Sequence, residues 1–303
     1  MNQTVLITGG TGSIGRRLTQ LLQQEGYQVS LLSRSQKNIP DVRVYQWDVK
    51  KGHIDPQAIR TANHIIHLAG EGIADGRWTD QRKEEIISSR TQSTELLAEA
   101  LRTNKHQVKS FIGASAIGYY GGDTGDRPLN ESNVGGSDFL AQAVRAWERS
   151  EEEVASLGIR TVKLRIGVVL MKDGGALPKL VQPVRLGAGA PIGSGQQYIS
   201  WIHLDDLCRL FIKALSDPSW QGVYNAVAPN PVTNETLTRA IAQVLHKPML
   251  LPNIPAFAIK LLYGEMAIVV TGGNYVLNKR IAEETNFTYQ YSDLGRALES
   301  LLM

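Results

Sequence analysis

Residues 8–17 read TGGTGSIGRR, a run with four glycines in the seven positions 9–15, set between the apolar Val5-Leu6-Ile7 and the helix-like LTQLLQQ of 18–24. A strand that breaks into a glycine turn and opens a helix is the context in which such a turn holds phosphate. Gly9 permits the tight turn, Gly12 lets the backbone approach a pyrophosphate, and Gly15 lets the helix pack close to the strand. The helix start supplies positive field, so the backbone N–H groups of Thr11, Gly12, Ser13, Ile14 and Gly15 can hold the anion without a charged side chain. Three glycines in this spacing cost chain entropy that a plain turn would not require.

Outward from this turn, strand-like runs over 5–8, 28–32, 42–47, 64–68, 108–113 and 160–166 alternate with helical periods over 13–25, 80–104 and 138–157. Leu18, Leu21 and Leu22 fall at i, i+3, i+4, as do Leu140, Val144 and Trp147. This alternation predicts an α/β, doubly wound parallel sheet of Rossmann type over 1–170. A strand near 222–226 is expected to complete the sheet. Residues 171–303 read mainly as a lid and a smaller C-terminal lobe, with 247–303 an appended tail; helices are expected near 205–216 and 233–246.

The composition of the 303 residues is ordinary, with 42% hydrophobic and 20% charged residues and a net charge of +3. There is no long basic run or RNP-like aromatic motif, which argues against nucleic acid. No leader pattern or long apolar span appears, so a cytoplasmic protein off the membrane is expected. The single cysteine, Cys208, excludes an internal disulfide framework, and the six histidines lack metal-ligand spacing, so no metal is expected. The partners expected are a small-molecule substrate and at most a second copy, as monomer or homodimer.

About twenty residues beyond Gly15, an acidic residue would suit a bare ribose 2′-hydroxyl. Ser33-Arg34-Ser35 stand there instead. A guanidinium beside a hydroxyl suits a 2′-phosphate, so the expected cofactor is NADP, with NADPH preferred over NADH. Asp48 could accept from the adenine amine or simply cap a turn. Ser115, Tyr119 and Tyr120 follow the fifth strand, where a nicotinamide would lie, and Glu71, Arg77 and Arg90 come from the loop and helix after the fourth. Tyr120 is the candidate proton donor, provided an arginine depresses its pKa.

TGGTGSIG, the SRS of 33–35, WDV at 47–49, HLAG at 67–70, SAIGYYG at 115–121, LRIGVVL at 164–170 and SWIHLDD at 200–206 resemble the extended branch of the short-chain dehydrogenase/reductases. More narrowly, AGEGIADGRWTDQRKEEIISSR, GSGQQYISWIHLDDL and the tail from Lys247 resemble an NAD(P)-dependent epimerase/dehydratase-like group that ends in a small domain of unknown function. The resemblance implies cofactor contacts from Val49, Leu68, Ala69, Gly70 and Arg165. It also implies a lid closing over substrate, with Lys179, Trp201 and His203 at the substrate pocket. His203 and Asp205 also read as a strand-end histidine and an N-cap for a helix from 206.

The resemblance fails at the catalytic pair. The superfamily's tyrosine and lysine, four apart on the helix after strand five, have no counterpart in SDFLAQAVRAWE; no tyrosine lies between Tyr120 and Tyr198 and no lysine between Lys109 and Lys163. Ala116 stands where the hydroxyl residue is expected, and Arg90 where the family has asparagine. The expectation is therefore an NADP(H)-binding oxidoreductase or epimerase-like enzyme with unorthodox proton-transfer residues. The alternative is a catalytically inactive NADP(H)-binding sensor or interaction protein.

Overall fold

The computed structural model describes residues 3–303. β1 (Thr4–Thr8) leads through the glycine turn into α1 (Ser13–Gln24), followed by β2 (Gln28–Ser33) and β3 (Val42–Asp48) with no helix between them. A short β4 (His53–Ile54) folds back on β3, and α2 (Pro56–Thr61), capped by Asp55, leads to β5 (His64–His67). The long α3 (Asp80–Thr103), capped by Thr79, precedes β6 (Ser110–Ala116), a 3₁₀ turn at Ile117–Tyr120 and β7 (Gly125–Leu129). Asp138 caps α4 (Phe139–Ala155), and β8 (Arg160–Ile166) follows.

After β9 (Val168–Leu170), the region 171–203, irregular by sequence, is ordered into short elements: α5 (Leu177–Arg185), β10 (Tyr198–Ile199) and β11 (Trp201–His203). Then come α6 (Leu204–Ser216), β12 (Gly222–Ala226), β13 (Val232–Thr233) and α7 (Asn234–Val244). The tail holds α8 (Ala256–Tyr263), α9 (Ile268–Thr271), β14 (Asn274–Val276), α10 (Lys279–Glu284) and α11 (Leu294–Leu302).

The main sheet runs β12-β8-β6-β5-β1-β2-β3-β4, parallel except for β4. The chain winds from β1 outward through β2 and β3, then returns to β5 and winds the other way. The strand order thus reverses between β1 and β5, where doubly wound sheets bind ligand at the carboxyl ends. Alternation along β1 sends Val5 and Ile7 into one core with Leu18, Leu22 and the apolar face of α6, and Leu6 into the other with Leu97, Leu101 and Phe111. A third core, around Leu177, Trp201, Leu237 and Leu298, joins α5, α7 and α11. The tail is fastened by Asp206, fully buried, whose carboxylate accepts from Gln290 N at 2.9 Å and Tyr291 N at 2.8 Å. Among the described residues, no helix is long and apolar enough to cross a membrane.

Candidate functional site

The glycine turn sits at the reversal point. Gly9 adopts φ +67°, and a Cβ there would meet the Leu68 carbonyl at 2.9 Å, so the β1 end crosses directly over the end of β5. A Cβ at Gly15 would meet Gly10 Cα at 2.5 Å, which is the close packing of helix on turn that the spacing predicts. Gly12 is the N-cap of α1, no side chain caps that end, and the first turn carries no acid. The leading N–H groups of a twelve-residue helix are therefore left without a side-chain acceptor, as an anion cradle requires.

A buried relay holds this corner together. Thr8 Oγ1 accepts from the N–H groups of Leu68 and Ala69, each at 3.1 Å, so its own hydrogen goes to His67 Nδ1 at 2.7 Å. His67 Nε2–H is then left to donate to Ser93 or Thr94 Oγ at 3.2 Å, and both hydroxyls donate to the Arg90 carbonyl. Complete burial holds the His67 pKa down at about 3, so the ring is neutral.

At the end of β2, Ser33 is buried and its Oγ accepts from Ser35 N, while the Arg34 side chain is 82% exposed with Glu71 at 3.7 Å. Asp48 accepts from Lys51 N at 3.1 Å, closing a turn, and stays partly exposed beside Val49.

Between the ends of β6 and β8 and the tail lies a cavity of about 250 Å³. The face of α4 turned to it carries Leu140, Ala143, Val144 and Trp147; Ala116 and Ile166 close the floor, and Val269 and Gly272 come from the tail. Arg90 is the only charged residue in the lining. It donates to the carbonyls of Ile86 and Glu71, each at 2.8 Å, and its guanidinium stacks 5.0 Å from the Trp147 ring centre. A larger groove of about 690 Å³ opens at the opposite, amino ends of β1–β3, away from the glycine turn.

The proposed acid–base residues lie under this cavity rather than in its lining. Ser115 donates to Glu148 at 2.6 Å and is buried, because the strand period turns it towards α4 while Ala116 faces the cavity. Glu148 in turn takes a bidentate pair from Arg165 at 2.7 and 2.8 Å. Arg165 also donates to Tyr120 Oη at 3.2 Å and stacks on Tyr119, 3.3 Å from the ring centre. The Tyr120 hydroxyl faces the acceptors Asn225 Oδ1 at 2.9 Å and Asn130 O at 3.0 Å. Burial raises the Tyr120 pKa more than Arg165 lowers it, the reverse of the sequence expectation. Ser115, Tyr120 and Arg165 thus form a buried scaffold with Glu148, a residue the sequence reading missed, and the half-buried Tyr119 stacks on it.

The sequence pattern of the NAD dependent epimerase/dehydratase family matches residues 5–227, and that of a domain of unknown function (DUF1731) matches 254–301. The chain belongs to the NAD dependent epimerase/dehydratase family. It is 37% identical to the Arabidopsis thaliana epimerase family protein SDR39U1 homolog, chloroplastic, over 99% of this chain and 86% of that one. It is 36% identical to the Bacillus subtilis epimerase family protein YfhF, over 98% and 97%. The crystal structure of human epimerase family protein SDR39U1 (isoform 2) with NADPH superposes with a TM-score of 0.87 at 31% identity, covering 99% of both chains. UDP-N-acetylglucosamine 4-epimerase from Bacillus cereus, at 18% identity and TM-score 0.76 over 99% and 95% of the chains, shares the fold.

Within this epimerase/dehydratase-family fold, several expected pocket residues do structural work. Trp201 is wholly buried in the third core and donates to the Asn230 carbonyl at 3.0 Å. His203, not Asp205, caps α6: its Nδ1 accepts from Asp205 N at 3.0 Å, and its ring stacks on Tyr291. Asp205 instead clamps Arg17 of α1 bidentately at 2.7 and 3.0 Å. Arg77 donates to the carbonyls of Leu261 and Leu262 at the end of α8, and Lys179 is exposed on α5. Glu71 lies between Arg34 and Arg82, outside the cavity lining. The segment after β9 touches the start of α1, since Ser13 Oγ donates to the Asp173 carbonyl at 2.6 Å.

Proposed function

We propose that this chain binds NADP(H), with NADPH preferred over NADH, and moves hydride to or from a small carbonyl or hydroxyl substrate without a tyrosine–lysine pair on α4. The observation that carries the reading is the uncapped start of α1 at the sheet's reversal point, beside an exposed Arg34 and next to a cavity with one cation in its wall. The N–H groups of residues 11–15 hold the pyrophosphate, Ser33 and Arg34 hold the 2′-phosphate, and Asp48 and Val49 border the adenine. Leu68, Ala69 and Gly70 line the way from the β5 end towards the cavity. When bound, the nicotinamide supplies or takes up the hydride.

The residues of this chain must then supply the proton and exclude water. Ser200 in the cavity wall accepts from Val276 N at 2.8 Å and donates to Asn274 O at 2.7 Å. Tyr198, also in the wall, has no hydroxyl hydrogen bond among the described residues and is the side chain we assign to exchange a proton. The apolar α4 face keeps the cavity dry, which strengthens charge effects inside it. That same face favours the second reading, a nucleotide-binding sensor without turnover. Calorimetric titration with NADPH, followed by absorbance of bound NADPH against a panel of small aldehydes, ketones and oxo acids, separates the two. Tight binding with oxidation by one member is expected; tight binding with none supports the sensor, and no binding refutes both.

A further inference from the structure

The cavity pairs a mainly apolar wall with one guanidinium that no carboxylate of the described residues meets within 4.0 Å. Arg90 uses two of its five N–H groups on backbone carbonyls, and no carboxylate of the described residues lies within 4.0 Å of it. Glu71, whose backbone carbonyl Arg90 engages and whose charge favours the guanidinium from beyond 4.0 Å, has its carboxylate closer to Arg34 at 3.7 Å and Arg82 at 3.8 Å. Burial lowers the Arg90 pKa only to about 10, so the charge remains at neutral pH. A desolvated cation without a partner is costly unless an anion completes it, and the planar fork matches a carboxylate.

Size narrows the ligand further. About 250 Å³ is below the roughly 300–1,000 Å³ of sites for drug-sized ligands, and whatever the nicotinamide fills is lost to substrate. The sugar of a nucleoside diphosphate sugar would set its hydroxyls against Leu140, Val144, Trp147, Ile166 and Val269 without partners.

We propose that the cavity takes a small, mainly apolar oxo or hydroxy acid, its carboxylate held by Arg90 and its hydrocarbon part packed on Trp147 and the α4 face. The proposal rests on the NADP(H) reading for the reaction, but not for the binding of the acid.

Calorimetry with phenylpyruvate as probe tests it, with and without saturating NADP⁺; both molecules are oxidised, so the complex cannot turn over. Binding by the wild type is expected, weakened about ten- to a hundredfold in Arg90→Gln and less in Arg90→Lys, with NADP⁺ affinity unchanged. Phenylacetone, which has the same ring and carbonyl but no carboxylate, should lose a similar factor in the wild type, a comparison that needs no variant to fold. Equal binding of phenylacetone, tighter binding of UDP-glucose, no binding of phenylpyruvate, or equal loss of NADP⁺ and phenylpyruvate in Arg90→Gln overturns the proposal. Absence of NADP⁺ binding by the wild type overturns the functional reading alone, because the titration without nucleotide still reports on Arg90.

Discussion

Replacing Arg34 with alanine separates the two anions of the proposed cofactor. The pyrophosphate is assigned to backbone N–H groups that the substitution does not touch, while the 2′-phosphate depends on side chains at the β2 end. A hydrogen bond to a charged group contributes roughly 1.5–3 kcal/mol. With 82% of the Arg34 side chain exposed, the lower part of that range applies, because water screens the contact. At about 1.4 kcal/mol per decade, Arg34→Ala should weaken NADPH by about ten- to thirtyfold. NADH, which lacks the phosphate, should bind the wild type less tightly than NADPH does and change little on substitution. Glu71, 3.7 Å from Arg34, competes for the same guanidinium. Glu71→Gln should therefore strengthen NADPH, by up to about fivefold if the exposed pair contributes the usual ~0.2–1 kcal/mol. Calorimetric titration of both nucleotides into the three proteins measures these ratios, and added salt should narrow the gap between NADPH and NADH. If Arg34→Ala weakens both nucleotides by the same factor, the arginine does not read the phosphate and the assignment fails.

Tyr120→Phe should leave NADPH affinity unchanged and lower folding stability by roughly 1–3 kcal/mol, because Asn225 and Arg165 lose a buried partner; denaturant titration with an unshifted midpoint would reinstate Tyr120 as a residue of the site. Glu151 is wholly buried with no hydrogen-bond partner among the described residues for either carboxylate oxygen, and desolvation raises its pKa well above the carboxylate range. Its folded pKa lies above its unfolded one, so its contribution is complete at low pH and is lost as pH rises. Glu151→Gln should accordingly gain stability over wild type by up to about 1.4 kcal/mol per pH unit above pH ~4.5, and parallel stability curves from pH 5 to 8 would refute this. For His67 the sign is opposite: its folded pKa, about 3, is below the unfolded value, so its stabilisation is present above pH ~6.5 and declines on acidification, by about 2 kcal/mol at pH 5. In nitrogen NMR spectra the His67 ring should stay in the Nε2–H form from pH 8 to 5, and a titration midpoint near 6.5 would contradict its place in the relay.

The main sheet was legible because its signals are long. Leu18 and Leu22 repeat with the helix period and are fully buried, and the β1 and β5 runs are apolar because helices cover both faces. The strands of 168–203 were hidden for the opposite reason: β9, β10 and β11 span two or three residues each, too few to show any period. The start of α6 was misjudged by two residues because the cap is an imidazole, His203, rather than one of the short oxygen side chains that mark most N-termini. Gly9 and Gly15 were readable because their spacing encodes backbone geometry. Arg90 could only be suspected, since its lack of a direct ion pair depends on Glu71 lying closer to Arg34 and Arg82.

The α4 helix explains why a polar sequence yields an apolar pocket. Two pairs on its cavity face have the i, i+4 spacing that a tyrosine–lysine couple needs, Leu140/Val144 and Ala143/Trp147, and neither can move a proton. Shifting the alignment by one turn therefore recovers nothing. The helix is nonetheless rich in charge, but on the neighbouring face: Glu148 binds Arg165, Glu152 binds Lys163, and Glu151 is packed so closely on Gly113 that a Cβ there would strike its carboxylate. Glu148 and Glu151 are buried against the sheet, Glu148 fixing the strand ends that carry Ala116 and Ile166 through Ser115 and Arg165, while Arg149, Glu152 and Glu153 are exposed and none of these groups lines the cavity. Charge in the cavity wall comes instead from α3, through Arg90, and a hydroxyl from the lid, through Tyr198. If hydride moves in this protein, its polar chemistry is supplied from the side of the cavity facing α3 and the lid, and the α4 wall serves to shape and dry the site.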